Sequence, residues 1–374
     1  MGNSRLIVDQ ATYFRELGHD VHYLYVHDIS IKEKSSEINI NAFPEMINFW
    51  GANNLHFIKI NKIKKLFMSL RNKFKFIFNR GYVSCDDLYS NKIHKEINKL
   101  DKINKFDVCI VNYYYLSKAL LNINIPIKAL LTHDAFCFRD LITGTKVMGS
   151  LLPNEEAKAA QRADYILNVQ EEDTSYFKKI SPKSTVLTIF TNLKFKKTEF
   201  VGNHNILFLS GINDFNLNGI KWFIKNVFPL ILEKFPDSKL IIGGGICKLL
   251  ETYQHPNIQL MGFVENLQEF FNKGDVFINP TFQGTGLKIK TFEGIANGKI
   301  VIAHPHSMTG IFEPSISPII IAENAKDWFR QIEKIFSDET MAKSIKSKDE
   351  EYVIRMKKYI DNQYTMLLNN KKCE

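Results

Sequence analysis

The chain has 374 residues, of which 45% are hydrophobic and 24% charged, with a formal net charge of +9. That length supports two domains, each with its own core, and the composition is that of an ordinary globular protein rather than a disordered one. No apolar run is long enough to cross a bilayer as a helix and no secretory signal opens the chain, so cytoplasmic residence is the expectation.

The five cysteines (Cys85, Cys109, Cys137, Cys247, Cys373) show no CxxC spacing. The histidines form no HExxH pair, and His304 with His306 is too small a set for a metal. No metal site and no disulfide framework is expected. The basic balance calls for an anionic partner: nucleic acid, a membrane surface or a phosphorylated substrate. Part of it also tracks a Lys-, Asn- and Ile-rich composition of the kind an AT-rich genome produces.

Residues 2–5 lead straight into an amphipathic helix over 6–17, closed by Gly18. A doubly wound α/β domain normally begins with a strand, so the first N-terminal strand is expected to be missing here. Short apolar, β-branched runs mark strands at 21–26, 106–111, 127–132, 164–169 and 186–190. A second set falls at 206–210, 239–242, 258–261, 276–279, 300–303 and 319–321. Helical patterns separate them, including 219–234 and 325–337. Continuous apolar strands alternating with helices read as parallel sheet covered on both faces.

The expected organisation is therefore a first doubly wound domain at 1–195 and a second at 203–349. The stretch 193–205 is the hinge, and 350–374 is a C-terminal helix packing back toward the first domain. A basic amphipathic insertion is expected near 55–80. From Met46 to Cys85 there is no Asp or Glu but eight Lys or Arg, with Ile60, Ile63, Phe67, Leu70, Phe74 and Phe78 spaced by three or four. Over 59–80 that pattern suits an anionic membrane surface, or a solvated basic face over a core helix. No nucleic-acid motif accompanies it, and nucleic acid is not expected as a partner.

Two further places carry chemistry in the first half. Leu131, Thr132, His133 and Asp134 end a strand signal, with Arg139 shortly after. A histidine at a strand's carboxyl end can meet a ligand in the crevice and accept or donate a proton; the alternative is a histidine satisfied by local backbone. The stretch from Glu155 through Arg162, Ala163 and Asp164 reads as architecture.

In the second half, the strand signal 206–210 runs into Gly211, and a loop without Arg or Lys continues to Lys221. Three glycines at 243–245 follow another strand, but GxGxxG is not completed because residue 248 is Lys. The segment from Asn279 to Gly294 places Gly284, Thr285, Gly286 and Leu287 between a strand and a helix. Such a turn presents backbone N–H groups and a positive helix end to an anion. Lys288 and Lys290 add charge, and Glu293 stands one turn into the helix.

Taken in order, residues 284–303 (GTGLKIKTFEGIANGKIVIA) resemble glycosyltransferase family 4 and its GTGLKIK-bearing relatives. The resemblance implies a GT-B fold: two Rossmann-like domains facing a central cleft. It implies a retaining glycosyltransferase whose donor is a nucleoside-diphosphate sugar, with no obligatory metal or other cofactor. Gly284, Thr285, Gly286, Leu287 and Lys288 would hold the donor diphosphate and sugar, and Glu293 the ribose. Gly211 would face the phosphates, and Phe263 and Val264 would border the base. His133, Lys288 and Glu293 would form the catalytic set.

The acceptor would be a glycan or lipid-linked molecule of cell-surface polysaccharide synthesis. The protein would then be cytoplasmic, peripheral on the inner face of the cytoplasmic membrane. Two departures stand out: Thr285 occupies a place where many relatives carry a glutamate, and the Gly211 loop lacks the Arg and Lys common there. They keep open a catalytically weakened, sugar-nucleotide-binding partner subunit, and a nucleotide-sugar epimerase on the same fold.

Overall fold

The computed structural model describes residues 2–27, 44–59, 84–87, 89–137, 151–191 and 193–369. Arg139 and residues 60–83, which hold most of the basic stretch, lie outside the described residues. The chain divides into two compact units.

The N-terminal unit comprises Ile7–Asn168, Asp173–Thr188 and Tyr364–Glu374. Its elements are α1 (Gly2–Glu16), β1 (Tyr23–His27), α2 (Pro44–Trp50), β2 (Leu55–Lys59), α3 (Asn91–Asn104), β3 (Val108–Asn112), β4 (Ile127–Leu131), α4 (Pro153–Ala160), β5 (Tyr165–Asn168), α5 (Glu172–Ile180) and β6 (Thr185–Thr188). The first element is a helix, as the sequence predicts, and Gly18 turns the chain out of it at φ +85°. All strands are parallel: β1 pairs with β2, while β3, β4, β5 and β6 form a second sheet in that order.

Among the described residues β1 bonds only to β2 and β3 only to β4. Side chains of β1 (Leu24, Val26) and β3 (Val111) nevertheless share one apolar cluster with Ile58 of β2. Amphipathic α3 covers that cluster with Ile93 and Ile97, and Ser90 caps its start.

The strand β2 is a correction. Its residues belong to the span expected as the start of the basic insertion, but Leu55–Lys59 runs in parallel register with Tyr23–His27. Leu55 packs with Trp50 while Ile58 enters the larger core. Alternate burial on two faces, rather than the net charge of the segment, decides its structure.

The C-terminal unit comprises Met1–Leu6, Val169–Glu172 and Ile189–Gln363. It contains β7 (Ile206–Leu209), α6 (Asp214–Asn226), α7 (Phe228–Lys234), β8 (Leu240–Gly243), β9 (Ile258–Gly262), α8 (Leu267–Phe271), β10 (Val276–Asn279), α9 (Ile289–Ala296), β11 (Ile300–Ala303), β12 (Ile320–Ile321), α10 (Ala325–Ser337) and α11 (Glu339–Asn369). The parallel sheet has the order β12-β11-β10-β7-β8-β9. The chain thus winds one way from β7 and the other way from β10, and the switch lies between those two strands.

Every residue of β8, β10 and β11 is buried, as a sheet covered on both faces requires. Helices α6, α7 and α10 close one face with Phe223, Phe228 and Trp328 against Phe208 and Ile242. The single helix expected at 219–234 is two, because Val227 departs from α6 and Pro229 stands in the first turn of α7. Proline has no N–H for the ladder and fits a helix start. The last helix starts at Glu339, earlier than the 350 predicted; its residues from Tyr364 on belong to the N-terminal unit, where the Tyr364 hydroxyl accepts a hydrogen bond from Gln10.

Candidate functional site

At the switch point, β7 and β10 lie side by side, in register at Val276↔Ile206. Their carboxyl ends bring together Ser210 and Gly211 from one strand and Pro280 and Thr281 from the other. Helix α6 follows the first and α9 the second. Both helices pack close to the sheet, which explains two glycines. A Cβ on Gly219 of α6 would stand 2.6 Å from the Pro280 carbonyl oxygen, and one on Gly294 of α9 would stand 2.8 Å from Phe277 and Val301 side chains.

In the turn from Thr281 to Lys288, four carbonyls are tied by side-chain donors. Ser307 Oγ donates to the Thr281 carbonyl at 2.8 Å. His306 Nε2 donates to Gly284 O at 2.9 Å. Lys288 Nζ donates to Gly286 O at 2.8 Å and Thr285 O at 3.3 Å. Gly284 and Gly286 take φ of +101° and +74°, conformations that glycine adopts without strain.

Among the described residues the amides of Thr285, Gly286 and Leu287 donate to no protein acceptor. The Thr285 hydroxyl is buried without a partner. A turn with its acceptors tied back and its donors unspent is a cradle for an anion.

Lys288 thus frames the turn that it was expected to serve as a diphosphate cation. His306, read from sequence only as half of an insufficient metal pair, is a second brace. Its backbone N–H donates to His304 Nδ1 at 3.1 Å. Burial first, then the neighbouring Lys288, lowers the pKa of His306. Its role as a hydrogen-bond donor to a carbonyl 22 residues away carries no local signal.

A polar network runs beneath the turn. Asn216 of α6 donates through Nδ2 to Ser210 Oγ at 2.8 Å, and its Oδ1 accepts from Thr281 Oγ1 at 3.1 Å. Lys290, on the first turn of α9, donates to the same Oδ1 at 2.5 Å and to Thr281 Oγ1 at 3.3 Å. Its ammonium lies 5.1 Å from the centroid of the Phe208 ring. Burial, reinforced by Lys288, pushes the Lys290 amine down to about 7, while Glu293 acts in the opposite sense. Glu293 itself is half-buried in the second turn of α9.

The remaining predicted residues of this unit follow the carboxyl ends of β7 and β9. Gly211 follows β7, and Asn213 caps α6 by accepting from the Phe215 and Asn216 amides. Gly262 (φ +65°) ends β9, and Phe263 beyond it is 77% exposed. Val264 packs toward Gly243. The glycine triplet at 243–245 is a packing device, as read from sequence: a Cβ on Gly244 (φ +91°) would stand 2.2 Å from Ser210 O.

His133 belongs to the N-terminal unit, just beyond β4. It is buried, and its ring stacks on Tyr113 at 4.3 Å between centroids. Nε2 lies 2.9 Å from Asn112 Oδ1 at the end of β3. Nδ1 is buried without a partner. Burial lowers its pKa to about 4, which makes it a neutral ring with one acceptor nitrogen unspent. In the same unit, Glu156 is fully buried and accepts from the Phe136 and Cys137 amides and from Tyr176 Oη. Arg162 pairs with Asp86. These contacts support the architectural reading of that stretch.

Among the described residues no group of three or more His, Cys, Asp or Glu is placed to hold a metal ion.

Residues 203–338 match the family Glycosyl transferases group 1. An uncharacterised 44.6 kDa protein in the cps region of Klebsiella pneumoniae is 30% identical over 121 residues, covering 29% of this chain and 31% of the relative. The chain therefore spans about a third of that curated relative.

Among solved structures, HepE of Anabaena in complex with UDP and glucose aligns at a TM-score of 0.60 and 11% identity, over 96% of this chain and 95% of the other. TarM of S. aureus, in a complex containing UDP, aligns at 0.58 and 17%, over 74% and 58%. The fold is GT-B, and the match to Glycosyl transferases group 1 spans residues 203–338. The resemblance carried by residues 284–303 falls inside that match.

Proposed function

We propose that this chain transfers a sugar from a nucleoside-diphosphate sugar to a glycan or lipid-linked acceptor in cell-surface polysaccharide synthesis, with retention at the anomeric carbon. The observation that carries the reading is the turn at 284–287, whose carbonyls are tied back while the amides of Thr285, Gly286 and Leu287 donate to no described protein group. Support for the donor class comes from HepE and TarM, whose crystals contain UDP. Support for the acceptor class comes from the Klebsiella relative in a cps region.

In this reading the diphosphate sits on the turn amides and the N-terminus of α9. Lys288 and Lys290 supply positive charge that the Gly211 loop lacks. Glu293 accepts from the ribose hydroxyls, and Phe263 and Val264 border the base. The developing charge on the diphosphate leaving group is met by fixed N–H donors, which need no reorganisation as the glycosidic bond breaks. His133, neutral, accepts a hydrogen bond from a sugar hydroxyl through Nδ1. The protein works in the cytoplasm at the inner face of the membrane, held there by the basic segment 59–80.

The test is isothermal titration with UDP, GDP and their sugars, followed by transfer assays with lipid-linked and oligosaccharide acceptors. Binding together with transfer of labelled sugar is the expected result. Binding without transfer to any acceptor would favour a non-catalytic partner subunit, a reading supported by the absence of Lys and Arg from 211–220, the turn after β7 and the first half of α6. Conversion of the sugar nucleotide without acceptor would favour an epimerase.

A further inference from the structure

Lys290 is a half-buried lysine with no carboxylate in an ion pair with it among the described residues. Its contacts among the described residues are all uncharged: the Asn216 Oδ1, the Thr281 hydroxyl and the Phe208 ring. The charged groups acting on it are Lys288, of the same sign, and Glu293, of the opposite sign but not within pairing distance. Helix α6, strand β7 and the turn after β10 contribute Asn216, Phe208 and Thr281 and no charge. An ammonium withdrawn from water without a counter-ion is unfavourable, and such a group answers by giving up its proton.

The network is nevertheless shaped to keep the amine in place. Ser210 fixes the Asn216 amide, so Oδ1 faces Lys290 and Thr281 together. Those residues come from the three elements that converge on the cation-poor loop, so Lys290 brings a basic group from α9 to the place the loop leaves uncharged.

We propose that Lys290 is a proton-coupled ligand for the donor diphosphate: its amine takes up one proton from solvent as the anion enters the turn, and Asn216 and Thr281 hold it in position in both states. This rests on the donor reading given above. No bond to the ligand is made or broken; the proton passes from the buffer to Nζ, and the diphosphate supplies the counter-charge that no described carboxylate provides. The amine's depressed pKa, near 7, means that at pH 8 most of the unliganded protein carries Lys290 neutral.

The experiment is calorimetric titration of the full chain with UDP at pH 8, where the nucleotide's terminal phosphate is fully ionised. It is repeated in Tris, HEPES and Tricine, whose ionisation enthalpies differ. The slope of observed enthalpy against buffer enthalpy counts the protons. Close to one proton taken up per UDP is expected for the wild type.

Lys290→Met should bind UDP about 10–100-fold more weakly, as for loss of a charge-assisted contact, and show no uptake. Lys290→Arg, permanently charged, should abolish uptake while retaining more affinity than Lys290→Met. Circular dichroism and melting of each variant establish that it is folded. UDP binding without proton uptake, or with uptake unchanged in Lys290→Met, overturns the assignment and leaves the donor reading standing. No binding of UDP or GDP to the wild type overturns both.

Discussion

His133 and Tyr113 stack on each other at 4.3 Å, and both hold positive φ, +61° and +71°. Each is the second or first residue past the carboxyl end of its strand, β4 and β3. Neither is glycine, so each carries a backbone cost of about 1–2 kcal/mol. The stack and the Asn112 contact recover part of it and fix the ring. With Nε2–H donating to the Asn112 side-chain Oδ1, Nδ1 is left as an acceptor.

The first prediction concerns that ring. Its folded pKa, about 4, lies below the unfolded value near 6.5 because burial disfavours the cation. A depressed folded pKa means stability that is complete above pH 6.5 and lost as pH falls through 4. The difference corresponds to roughly 3 kcal/mol. Urea unfolding of wild type and His133→Gln between pH 7 and 4 should show the wild type losing more stability than the variant. Nitrogen-15 spectra should report a neutral Nε2–H tautomer down to pH 5. A protonated ring at pH 6 would sink the idea.

Glu293 provides the second prediction. Its carboxylate stands one turn inside α9, where two ribose hydroxyls can donate to it. Glu293→Ala should weaken UDP binding about 10–100-fold, as expected for loss of hydrogen bonds to a charged group. Glu293→Gln should lose less, because one oxygen acceptor remains. Equal affinity of wild type and Glu293→Ala by calorimetry would remove Glu293 from the nucleotide site.

Much of the C-terminal unit was legible because its strands are uninterrupted apolar runs between turn residues. The runs at 276–279 and 300–303 coincide with β10 and β11, and all six strands lie where the pattern puts them. Strand β2 escaped because Leu55–Lys59 includes a histidine and a lysine and opens a cationic stretch. Its pairing with β1 is a contact across more than thirty residues that no local period reveals.

In the site, residue types and order identified the turn but not its directions. The backbone carbonyls that receive Lys288 are in its own turn, whereas Lys290 reaches Asn216, 74 residues away. His306 was invisible as a brace for the same reason. Side-chain direction at a turn is set by tertiary packing, and spacing alone does not encode it.

The third prediction separates two glycines with similar φ. Gly244 (φ +91°) sits so close to β7 that a Cβ would meet Ser210 O at 2.2 Å, and its own N–H donates to Gly262 O at 2.6 Å. Backbone blocks the space on that side, so no flexible side chain can yield. Gly18 (φ +85°) has nothing within 4 Å of the same position. Gly18→Ala should therefore cost about 1 kcal/mol, the left-handed term alone. Gly244→Ala should cost about 3–4 kcal/mol and weaken nucleotide binding through displacement of Ser210. Chemical denaturation of the two variants decides it; equal losses would mean that the close approach of Gly244 to β7 does not exist in solution.

The fourth prediction tests what holds the polar stretch 193–205 onto the C-terminal unit. Lys346 of α11 donates to the carbonyls of Thr198 (3.0 Å) and Glu199 (3.2 Å) and pairs with Asp275 at 3.6 Å. Asp275 in turn accepts from the Val201 and Gly202 amides, and Thr198 Oγ1 donates to the Asn297 carbonyl. Side-chain exposure is 11% for Lys346 and 6% for Asp275, so this pair is largely withdrawn from water. Removing one partner from a buried pair leaves the other charge uncompensated, at about 3–5 kcal/mol.

Lys346→Met should fall near the lower end of that range, because Lys299 lies close enough to act electrostatically on Asp275's surroundings. It should also speed hydrogen exchange at the Val201 and Gly202 amides, which depend on the orientation of Asp275. The control is Lys99→Met on α3, itself 67% exposed and paired with Glu96. A surface pair of that kind contributes less than about 1 kcal/mol. If the two variants melted together, the stretch would be held by its apolar contacts and not by Lys346.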